Sequence, residues 1–499
     1  MGRVFYVIIL SIDRQTCSRA CLKNKGDTHG FQFDALSMDL LPLVLAAYYI
    51  SPGKIRNGIL VFFSLLFYAW GEPLYVFLML FSVAVNFTGG ILIEKYQTRK
   101  KKILVATLII NLGLLGYFKY FGTLTEAITG LFSADGTGTT LFQVALPIGI
   151  SFYTFQALSY VIDVYRGEVP AQHNFWHMLL YISFFPQLIA GPIVKYRDIA
   201  AQITGRKETI RKFAAGIMRF CWGLGKKVLL ANSFARVVDE IFKYGPYAVS
   251  RKALWLGAIL YMMQIYYDFS GYSDMAIGLG KMFGFEFQEN FNYPYTAGSV
   301  QEFWHRWHIS LSSWFRDYVY IPLGGNRKGA ACTYRNLLIV FFLTGMWHGA
   351  GMAFILWGLY HGLFLILERV WLGKKLEKLP GIVGWGYTVI AVFFGWILFR
   401  AENISLFFTY VRNMFVAHGG TILLSAYLDS KMIFLIVMGV LFAGVLQKIY
   451  EKVRVHSAGK IPANGMVTVP RMIACLVIFW LSVAALVNNS YNPFIYFRF

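Results

Sequence analysis

Long stretches without a charged side chain recur along this sequence and constrain its fold more than any other feature. Residues 73–93 and 379–399 are two of them, and residues 336–367 form one long enough for more than one crossing of a membrane. A helix needs about 20 mostly apolar residues to span a bilayer, where helices and closed barrels alone satisfy their backbone hydrogen bonds. The sequence therefore predicts a membrane protein whose helices cross the bilayer several times.

Shorter apolar stretches at 103–118, 178–194, 253–267, 432–447 and 472–487 extend this pattern. The chain of 499 residues is 57% hydrophobic and only 14% charged, whereas soluble domains are about 25% charged. Gly, Pro, Asn and Gln within the stretches favour helices that pack on other helices. We expect an all-α polytopic bundle of about 11 transmembrane helices with additional buried or re-entrant pieces.

The charge distribution indicates orientation and excludes one class of partner. The formal charge is +21, and basic residues concentrate in short segments between the apolar stretches, at 99–102, 206–207, 226–227 and 374–375. Lys and Arg in short loops mark the cytoplasmic side of membrane proteins. We therefore place these loops in the cytoplasm, expect a membrane lipid environment and expect no nucleic-acid partner.

The first residues differ from the rest of the chain. The apolar segment 4–12 is too short to span a membrane, and it lacks the small-residue cleavage site of a signal peptide. We interpret residues 1–37 as an N-terminal extension, with Met38 as an alternative translation start. Residues 38–499 are expected to form a single transmembrane domain, in which Pro147, Pro186 and Pro192 bend or break helices.

The richest polar stretch runs over residues 299–327. Ser299 followed three residues later by Glu302 is a capping-box pattern and predicts a helix start. After this start, aromatic residues recur at helical spacing as far as Pro322. His308 lies on a neighbouring stripe of the same predicted helix. The segment is too polar to cross lipid alone, so we predict one helix that is buried in the bundle or lines a water-filled cavity.

A second polar feature is His348, which lies inside the apolar stretch 336–367 with Gly345, Gly349 and Gly351 around it. Ionisable groups at membrane depth are costly and are functional candidates for that reason. A neutral imidazole can accept a proton from a hydroxyl near neutral pH, which suits general-base catalysis. Nearby residues offer no strong nucleophile.

Several motifs together resemble a known family. They are FWHRWHISLSSWFRDYVYIPLGG at 303–325, TGMWHGAG at 344–351, LPIGISFYTFQ at 146–156, FFPQLIAGP at 184–192, YDFSGYSD at 267–274 and YNPFIYFRF at 491–499. In this order they resemble the membrane-bound O-acyltransferase (MBOAT) family, within it the bacterial alginate O-acetylation branch. The resemblance covers about residues 40–499 and leaves residues 1–37 without a counterpart.

The resemblance implies two catalytic histidines, His348 and His308, near the floor of a central funnel. It implies O-acyl transfer, with acetyl as the expected group and acetyl-CoA or another cytoplasmic acyl thioester as donor substrate, without a tightly bound cofactor. The acceptor would be an extracytoplasmic polysaccharide in the manner of alginate biosynthesis, reached through an extracytoplasmic acetyltransferase partner. Such a protein belongs in the cell (inner) membrane.

Other residues are weaker candidates for lining or supporting the site. They are Asp268, Ser270, Trp307, Arg316, Asp317 and Trp347. For Arg316 and Asp317 we favour a structural role, in which they satisfy one another or nearby backbone groups, and for the aromatic stripe we favour packing. Packing is also the favoured role of His361. His305 and His308 are three residues apart, but they lack a third ligand, so we expect no metal site.

Three alternative functions stay open at this point. D-alanyl transfer to teichoic acid is the nearest, because that branch shares both histidine segments. A transporter would also place polar groups at membrane depth, although the sequence has no evident inverted repeat. A scaffold that recruits a secreted acetyltransferase is the third. The acceptor polymer, whether alginate, another exopolysaccharide, cellulose or peptidoglycan, is also open.

Overall fold

The computed structural model describes residues 40–132, 145–456 and 468–488, together with residues 491 and 493. Within these ranges the regular structure is helical, and the isolated bridge between Val249 and Ile422 is its one β-type pairing. The architecture is therefore all-α, as predicted. The proposed extension 1–37 and the alternative start at Met38 lie outside the described residues.

The first half of the described chain places a group of short and long helices around a buried core. Its 3-10 turn is Gly53–Ile55, and the π-helical segment Lys226–Ala231 joins the ninth helix to the tenth. The helices are α1 (Leu41–Ile50), α2 (Arg56–Gly71), α3 (Tyr75–Lys95), α4 (Lys100–Phe132), α5 (Ile150–Arg166), α6 (Phe175–Ser183), α7 (Phe185–Leu188), α8 (Tyr196–Gly205), α9 (Ile210–Gly225), α10 (Asn232–Ala248) and α11 (Arg251–Met282).

The second half continues with shorter helices before the next long ones. Three π-helical segments, Arg316–Tyr320, Glu368–Leu372 and Leu441–Val445, and two 3-10 turns, Pro294–Thr296 and Leu424–Ala426, interrupt it. The helices are α12 (Val300–Arg306), α13 (Ile309–Phe315), α14 (Ala330–His348), α15 (Met352–Leu367), α16 (Gly373–Leu376), α17 (Gly381–Arg400), α18 (Ile404–Phe415), α19 (Ser430–Val440), α20 (Leu446–His456) and α21 (Val469–Asn488).

Seven helical stretches of the described chain are long and apolar enough to cross a membrane. They are Tyr75–Lys95, Lys100–Leu131, Ala330–His348, Met352–Leu376, Gly381–Arg400, Ser430–Val453 and Val469–Asn488. Apolar side chains cover their outer faces, as at Ile473 and Leu476 on α21, which are 58% and 59% exposed. Because lipid is the solvent that such faces require, these stretches confirm a multi-pass helical membrane protein.

The number of such stretches is below the expected number of about 11 crossings. Helices α5 and α11 are largely buried within the bundle and carry polar residues there, including Asp163 and Asp268. A helix buried within a bundle can carry polar residues that lower its hydropathy, so hydropathy detects such a helix only in part. Residues 253–267 accordingly form only part of the longer α11.

Residues 178–194 do not form the crossing that their hydropathy predicted. Helix α6 begins at the cap residue Asn174, whose side chain accepts a hydrogen bond from the backbone of Trp176 at 2.9 Å, and it ends at Ser183. The four-residue helix α7 follows, with Pro186 in its first turn, and non-helical chain continues through Pro192. The prediction that these prolines break helices is thus confirmed.

Helices α14 and α15 form a tight hairpin that carries His348 at the end of its first arm. A β-carbon on Gly345 would overlap the backbone oxygen of Phe354, and one on Gly358 would overlap the backbone oxygen of Phe341. Small residues at such crossings let two helix backbones touch. The stretch 336–367 is therefore two passages, as predicted, and the turn between them fixes where His348 lies.

A small cluster of aromatic side chains packs beside two larger apolar clusters and joins four parts of the chain. It includes Phe155 of α5, Phe269 of α11, Trp314 of α13 and Trp347 of α14. The rings of Phe155 and Trp314 stack with centroids 4.1 Å apart. This cluster forms the apolar support on which both candidate histidines rest.

Candidate active site

The polar stretch 299–327 begins as predicted and then breaks at its most important residue. The Ser299 hydroxyl accepts a hydrogen bond from the backbone of Glu302 at 3.0 Å, which confirms the helix start. The helix ends at Arg306, and His308 has a positive φ of 44° in the left-handed region. One continuous helix was thus a wrong prediction, because His308 occupies the corner between α12 and α13.

Backbone hydrogen bonds from residues 290–292 replace the helical bonds lost at this corner. The backbone N–H of Ile309 donates to the oxygen of Asn290 at 2.9 Å, and that of Asn292 donates to the oxygen of Arg306 at 2.9 Å. A non-glycine residue in the left-handed region is costly and persists where its surroundings impose it. These bonds from the chain after α11 impose the corner, and His308 is 1% exposed within it.

The side chain of Asn290 determines which nitrogen of His308 carries the proton. The backbone N–H of Ser310, which can only donate, lies 3.2 Å from Asn290 Oδ1, and the Ser310 hydroxyl donates to the same oxygen at 2.8 Å. Asn290 Nδ2 faces the Ser273 hydroxyl at 3.0 Å. Oδ1 is therefore an acceptor, and His308 Nδ1, 3.2 Å from it, is the donor.

This assignment leaves Nε2 of the neutral His308 ring with its lone pair available. Nε2 has no hydrogen-bond partner among the described residues. The hydroxyl of Ser310 also accepts from the backbone N–H of Ile193 at 3.0 Å, which ties the corner to the chain after α7. A network of buried hydrogen bonds thus holds the imidazole in one orientation and in one tautomer.

The second histidine, His348, reaches the same cluster from the end of α14. Its ring packs against Trp347, Trp357 and Phe399, with centroid distances of 4.8, 5.0 and 5.1 Å. The ring of His308 lies 5.9 Å from the Trp347 indole. Both imidazoles therefore contact one tryptophan, and Trp347, a supporting candidate, is the residue between them.

Helix α4 holds the end of α14 from the other side. Lys119 Nζ donates to the backbone oxygen of Trp347 and lies 5.7 Å from the centroid of its ring. The Tyr120 hydroxyl donates to the backbone oxygen of Met346 at 2.6 Å. Carbonyls in the last turn of a helix lack helical partners and form the negative end of its dipole, where a cation is favourable. Lys119 thus stabilises the turn that carries His348.

Comparison with known proteins gives the family of this chain. The model of the family described as "MBOAT, membrane-bound O-acyltransferase family" matches residues 168–412, which include both histidines. The probable alginate O-acetylase AlgI of Azotobacter vinelandii is 38% identical over 489 residues, which cover 92% of this chain and 98% of that protein. The chain belongs to the membrane-bound O-acyltransferase family. It is an O-acyltransferase.

Two further relatives of this MBOAT protein carry other names. The peptidoglycan O-acetyltransferase of Helicobacter pylori is 34% identical over 416 residues, covering 76% of this chain and 78% of that protein. The teichoic acid D-alanyltransferase of Bacillus subtilis is 28% identical over 277 residues, covering 51% and 69%. All three names describe the transfer of an acyl group. They differ in which acyl group is transferred and in the acceptor that receives it.

Two candidates, Asp268 and Ser270, lie on α11 and flank a residue that contacts His308, but their surroundings differ. Asp268 forms an ion pair with Lys227 at 2.5 Å, and both side chains are buried. Lys227 also donates to the backbone oxygen of Pro493. Ser270 is fully buried, and the intervening Phe269 packs edge-on against His308 at 4.6 Å. Because a buried ion pair needs both partners, Asp268 holds Lys227, which in turn contacts Pro493, beside α11. A role of Asp268 in catalysis stays a prediction.

Arg316 and Asp317 lie in a cluster of charges at the π-helical segment after α13. Asp317 pairs with Arg316 at 2.9 Å, as favoured from the sequence, and also with Lys195 at 2.7 Å and Arg197 at 2.5 Å. Burial alone would raise the pKa of Asp317, but hydrogen bonds from Arg316 and Lys195 outweigh it and hold the pKa below its ordinary value. The cluster joins α13 to α8, and its contacts support a structural role.

Trp307 and His361 both pack within aromatic surroundings. Trp307 stacks on Phe303 with centroids 5.5 Å apart and contacts Trp396 at 4.8 Å, so aromatic packing holds the residue that precedes His308. His361 is fully buried and packs edge-on against Trp304 at 5.2 Å. Within the described ranges, no group of three or more His, Cys, Asp or Glu side chains is arranged to hold a metal ion.

Two residues of the site, Asn290 and Lys119, were not predicted from the sequence. Asn290 lies in a non-helical linker and belongs to none of the quoted motifs, so its sequence offered no signal. Lys119 did offer one, because it is the single charged residue between Lys102 and Glu126 in an otherwise apolar helix. A charge at that depth is a functional candidate by default.

Proposed function

We propose that this MBOAT protein moves an acetyl group from a cytoplasmic thioester, acetyl-CoA or a related donor, towards hydroxyls of an extracytoplasmic polysaccharide. An extracytoplasmic acetyltransferase partner would complete the transfer, and the chain would lie in the cell (inner) membrane. The names of the alginate and peptidoglycan relatives support acetyl transfer to a cell-surface polymer. The observation that carries the proposal is the pair of buried imidazoles on either side of Trp347.

His348 acts as the general base in this proposal. A hydroxyl oxygen of the acceptor attacks the thioester carbonyl carbon, and its proton passes to an imidazole nitrogen of His348. The tetrahedral intermediate collapses as the C–S bond breaks, and the imidazolium returns the proton to the thiolate. The products are an O-acetyl ester and a free thiol, so atoms and charges balance. A positioned imidazole typically contributes about 10²–10⁴-fold to such a step.

His308 orients the acceptor. Because Asn290 Oδ1 accepts the hydrogen bond from the protonated Nδ1 of His308, Nε2 is an acceptor and can receive the hydrogen bond of an incoming hydroxyl. An active-site histidine here could orient the acceptor or polarise the acyl carbonyl, and the tautomer of His308 favours the first role. Polarising a carbonyl needs a donor, which the neutral ring with this tautomer does not present at Nε2.

The test measures O-acetyl groups on cell-surface polymers in the wild type, in a deletion and in the deletion carrying His348→Ala. His361→Ala is the matched control, because it removes a second buried histidine from the same helical hairpin. Membrane abundance of each variant is measured in parallel. We expect acetylation to be lost in the deletion, restored by His361→Ala and not restored by His348→Ala.

Other results would redirect the proposal. Full restoration by His348→Ala would exclude this base and favour a scaffold or transport role. Unchanged acetyl together with lost D-alanyl esters in the deletion would favour the activity named for the Bacillus subtilis relative. The polymer that loses acetyl in the deletion identifies the acceptor, and purified chain with acetyl-CoA and release of free thiol as readout tests the donor.

A further inference from the structure

An apolar groove lies on the side of the bundle where α11, α17 and the α19–α20 pair meet. Its volume is ≈ 460 Å³, within the range of about 300–1,000 Å³ that is typical of ligand sites. Met262, Tyr266, Tyr295, Trp385 and Val440 are among the residues that line it, and nearly all of its surface is apolar. Two of its walls are the candidate membrane spans Gly381–Arg400 and Ser430–Val453. The groove therefore faces the hydrocarbon chains of lipids.

One end of the groove is marked by a cation. Lys448 lines the groove and donates to the backbone oxygen of Thr296 at 3.3 Å. Within the described ranges no carboxylate forms an ion pair with Lys448, whereas Arg306, which also reaches Thr296, is paired with Glu302 at 2.7 Å. The positive charge at Lys448 is therefore not neutralised by a carboxylate of the described residues.

The position of Lys448 along its helix fits the boundary between hydrocarbon and headgroups. The apolar run of α19 and the following π-helical segment ends at Leu446, and charged residues begin at Lys448. Trp385 lines the groove nearby and donates from its indole to the backbone oxygen of Tyr295 at 3.0 Å. Tryptophan at helix ends, together with lysine, is typical of the membrane interface.

We propose that this groove binds an anionic membrane phospholipid, with an acyl chain along the apolar walls and the phosphate beside Lys448. The chemistry at the two ends of the groove supports this occupant. The apolar lining disfavours polar ligands, and the Lys448 ammonium, which has no carboxylate partner among the described residues, selects a negative headgroup over a zwitterionic one. Near a bilayer, one lysine contributes about fivefold to binding an anionic lipid.

The groove is separated from the His308 corner by one layer of aromatic rings. Tyr266 and Tyr295 form its wall, and their rings lie 6.2 and 6.1 Å from Trp307, the residue before His308. A lipid chain in the groove thus packs on the rings that support the corner. We expect the acyl-transfer rate to rise with groove occupancy, a consequence that rests on the function proposed above.

The test uses the full chain in vesicles of phosphatidylcholine with a small fraction of phosphatidylglycerol that carries a photoreactive group in one acyl chain. Peptides that become labelled are identified by mass spectrometry. We expect labelling concentrated on α17 and α19 around Trp385 and Val440. Lys448→Gln should lower labelling by the anionic probe about fivefold and leave labelling by a photoreactive phosphatidylcholine unchanged.

Two matched controls and one blocking variant complete the design. Lys431→Gln removes a lysine from the opposite end of the same span, and Ile433→Phe enlarges an outward-facing residue of that helix. Both should label as the wild type does. Ala443→Phe, which fills the groove, should abolish labelling by both probes. Thermal unfolding of each variant identifies any that fail to fold.

Equal labelling of α17, α19 and the outward face of α21 would overturn the proposal, because it would mean ordinary lipid contact. Unchanged anionic labelling in Lys448→Gln would overturn the headgroup assignment. These readouts do not depend on catalysis, so they stand even if the acyl-transfer proposal fails. If labelling is specific and the rate does not change with phosphatidylglycerol content, the coupling to the His308 corner is refuted.

Discussion

Replacing Asn290 by alanine tests whether the orientation of His308 matters for catalysis. The wild-type side chain is fully buried, and its Oδ1 accepts from His308 Nδ1 and from the backbone and hydroxyl of Ser310. Removal frees the imidazole to rotate and to exchange tautomers. A buried donor left without its acceptor costs about 1–3 kcal/mol of free energy. If the misoriented imidazole raises the activation free energy by about 2 kcal/mol, the rate falls about 30-fold.

The assay is the initial rate of polymer O-acetylation per molecule of membrane-inserted chain, together with thermal unfolding in detergent. Asn86→Ala is the matched control, because Asn86 is a fully buried amide hydrogen-bonded to Asn111 at 2.9 Å. Asn290→Asp keeps the acceptor and should retain more activity than Asn290→Ala. Equal loss of rate in Asn86→Ala and Asn290→Ala would refute the reasoning, since stability alone would then explain both.

Three further predictions concern the surroundings of the site. Lys119→Met should lower the rate about tenfold by freeing the helix end at Trp347, with partial recovery in Lys119→Arg, measured by the same assay. Gly358→Leu should prevent the α14–α15 hairpin from closing and lower the melting temperature strongly, whereas Gly113→Leu, which has open space around it, should change it little. Asp317→Asn should cost about 3 kcal/mol at pH 7 because it breaks a buried cluster of ion pairs. Since the folded-state pKa of Asp317 lies below its unfolded value, this stabilisation is present above about pH 4 and lost as pH falls through the folded pKa. Unfolding curves should accordingly converge at low pH, and a constant gap would contradict the assignment.

Much of the fold could be predicted because lipid imposes a simple rule on helices that face it. The stretches 73–93 and 379–399 became Tyr75–Lys95 and Gly381–Arg400, with boundaries shifted by one or two residues. The same rule failed for 178–194, which is apolar because protein surrounds it. A segment buried in protein and a segment buried in lipid have the same apolar composition. Hydropathy therefore cannot distinguish a membrane-spanning helix from a buried segment whose helix is broken.

Only those residues of the candidate site that lie within the family motifs could be predicted from the sequence. His308, Trp347 and His348 lie in the two motifs that carry the family resemblance, and the structure brings them together. The local pattern around His308, however, predicted a helix through that residue. The bonds that break the helix come from Asn290 and Asn292, and neither periodicity nor capping signals contain information about a partner segment distant along the chain.

The corner at His308 is where local preference and site geometry conflict. A continuous helix would satisfy its own backbone and would place the imidazole on a helical face. The observed chain instead places two non-glycine residues, Tyr293 and His308, at positive φ of 45° and 44°, each at a cost of about 1–2 kcal/mol. Backbone bonds between residues 290–292 and 306–309 offset this cost. They also bring the Asn290 amide against the imidazole, which a helix through His308 would not do. The strain and the chosen tautomer therefore have one cause, and a sequence that relieved the strain would also lose the oriented nitrogen.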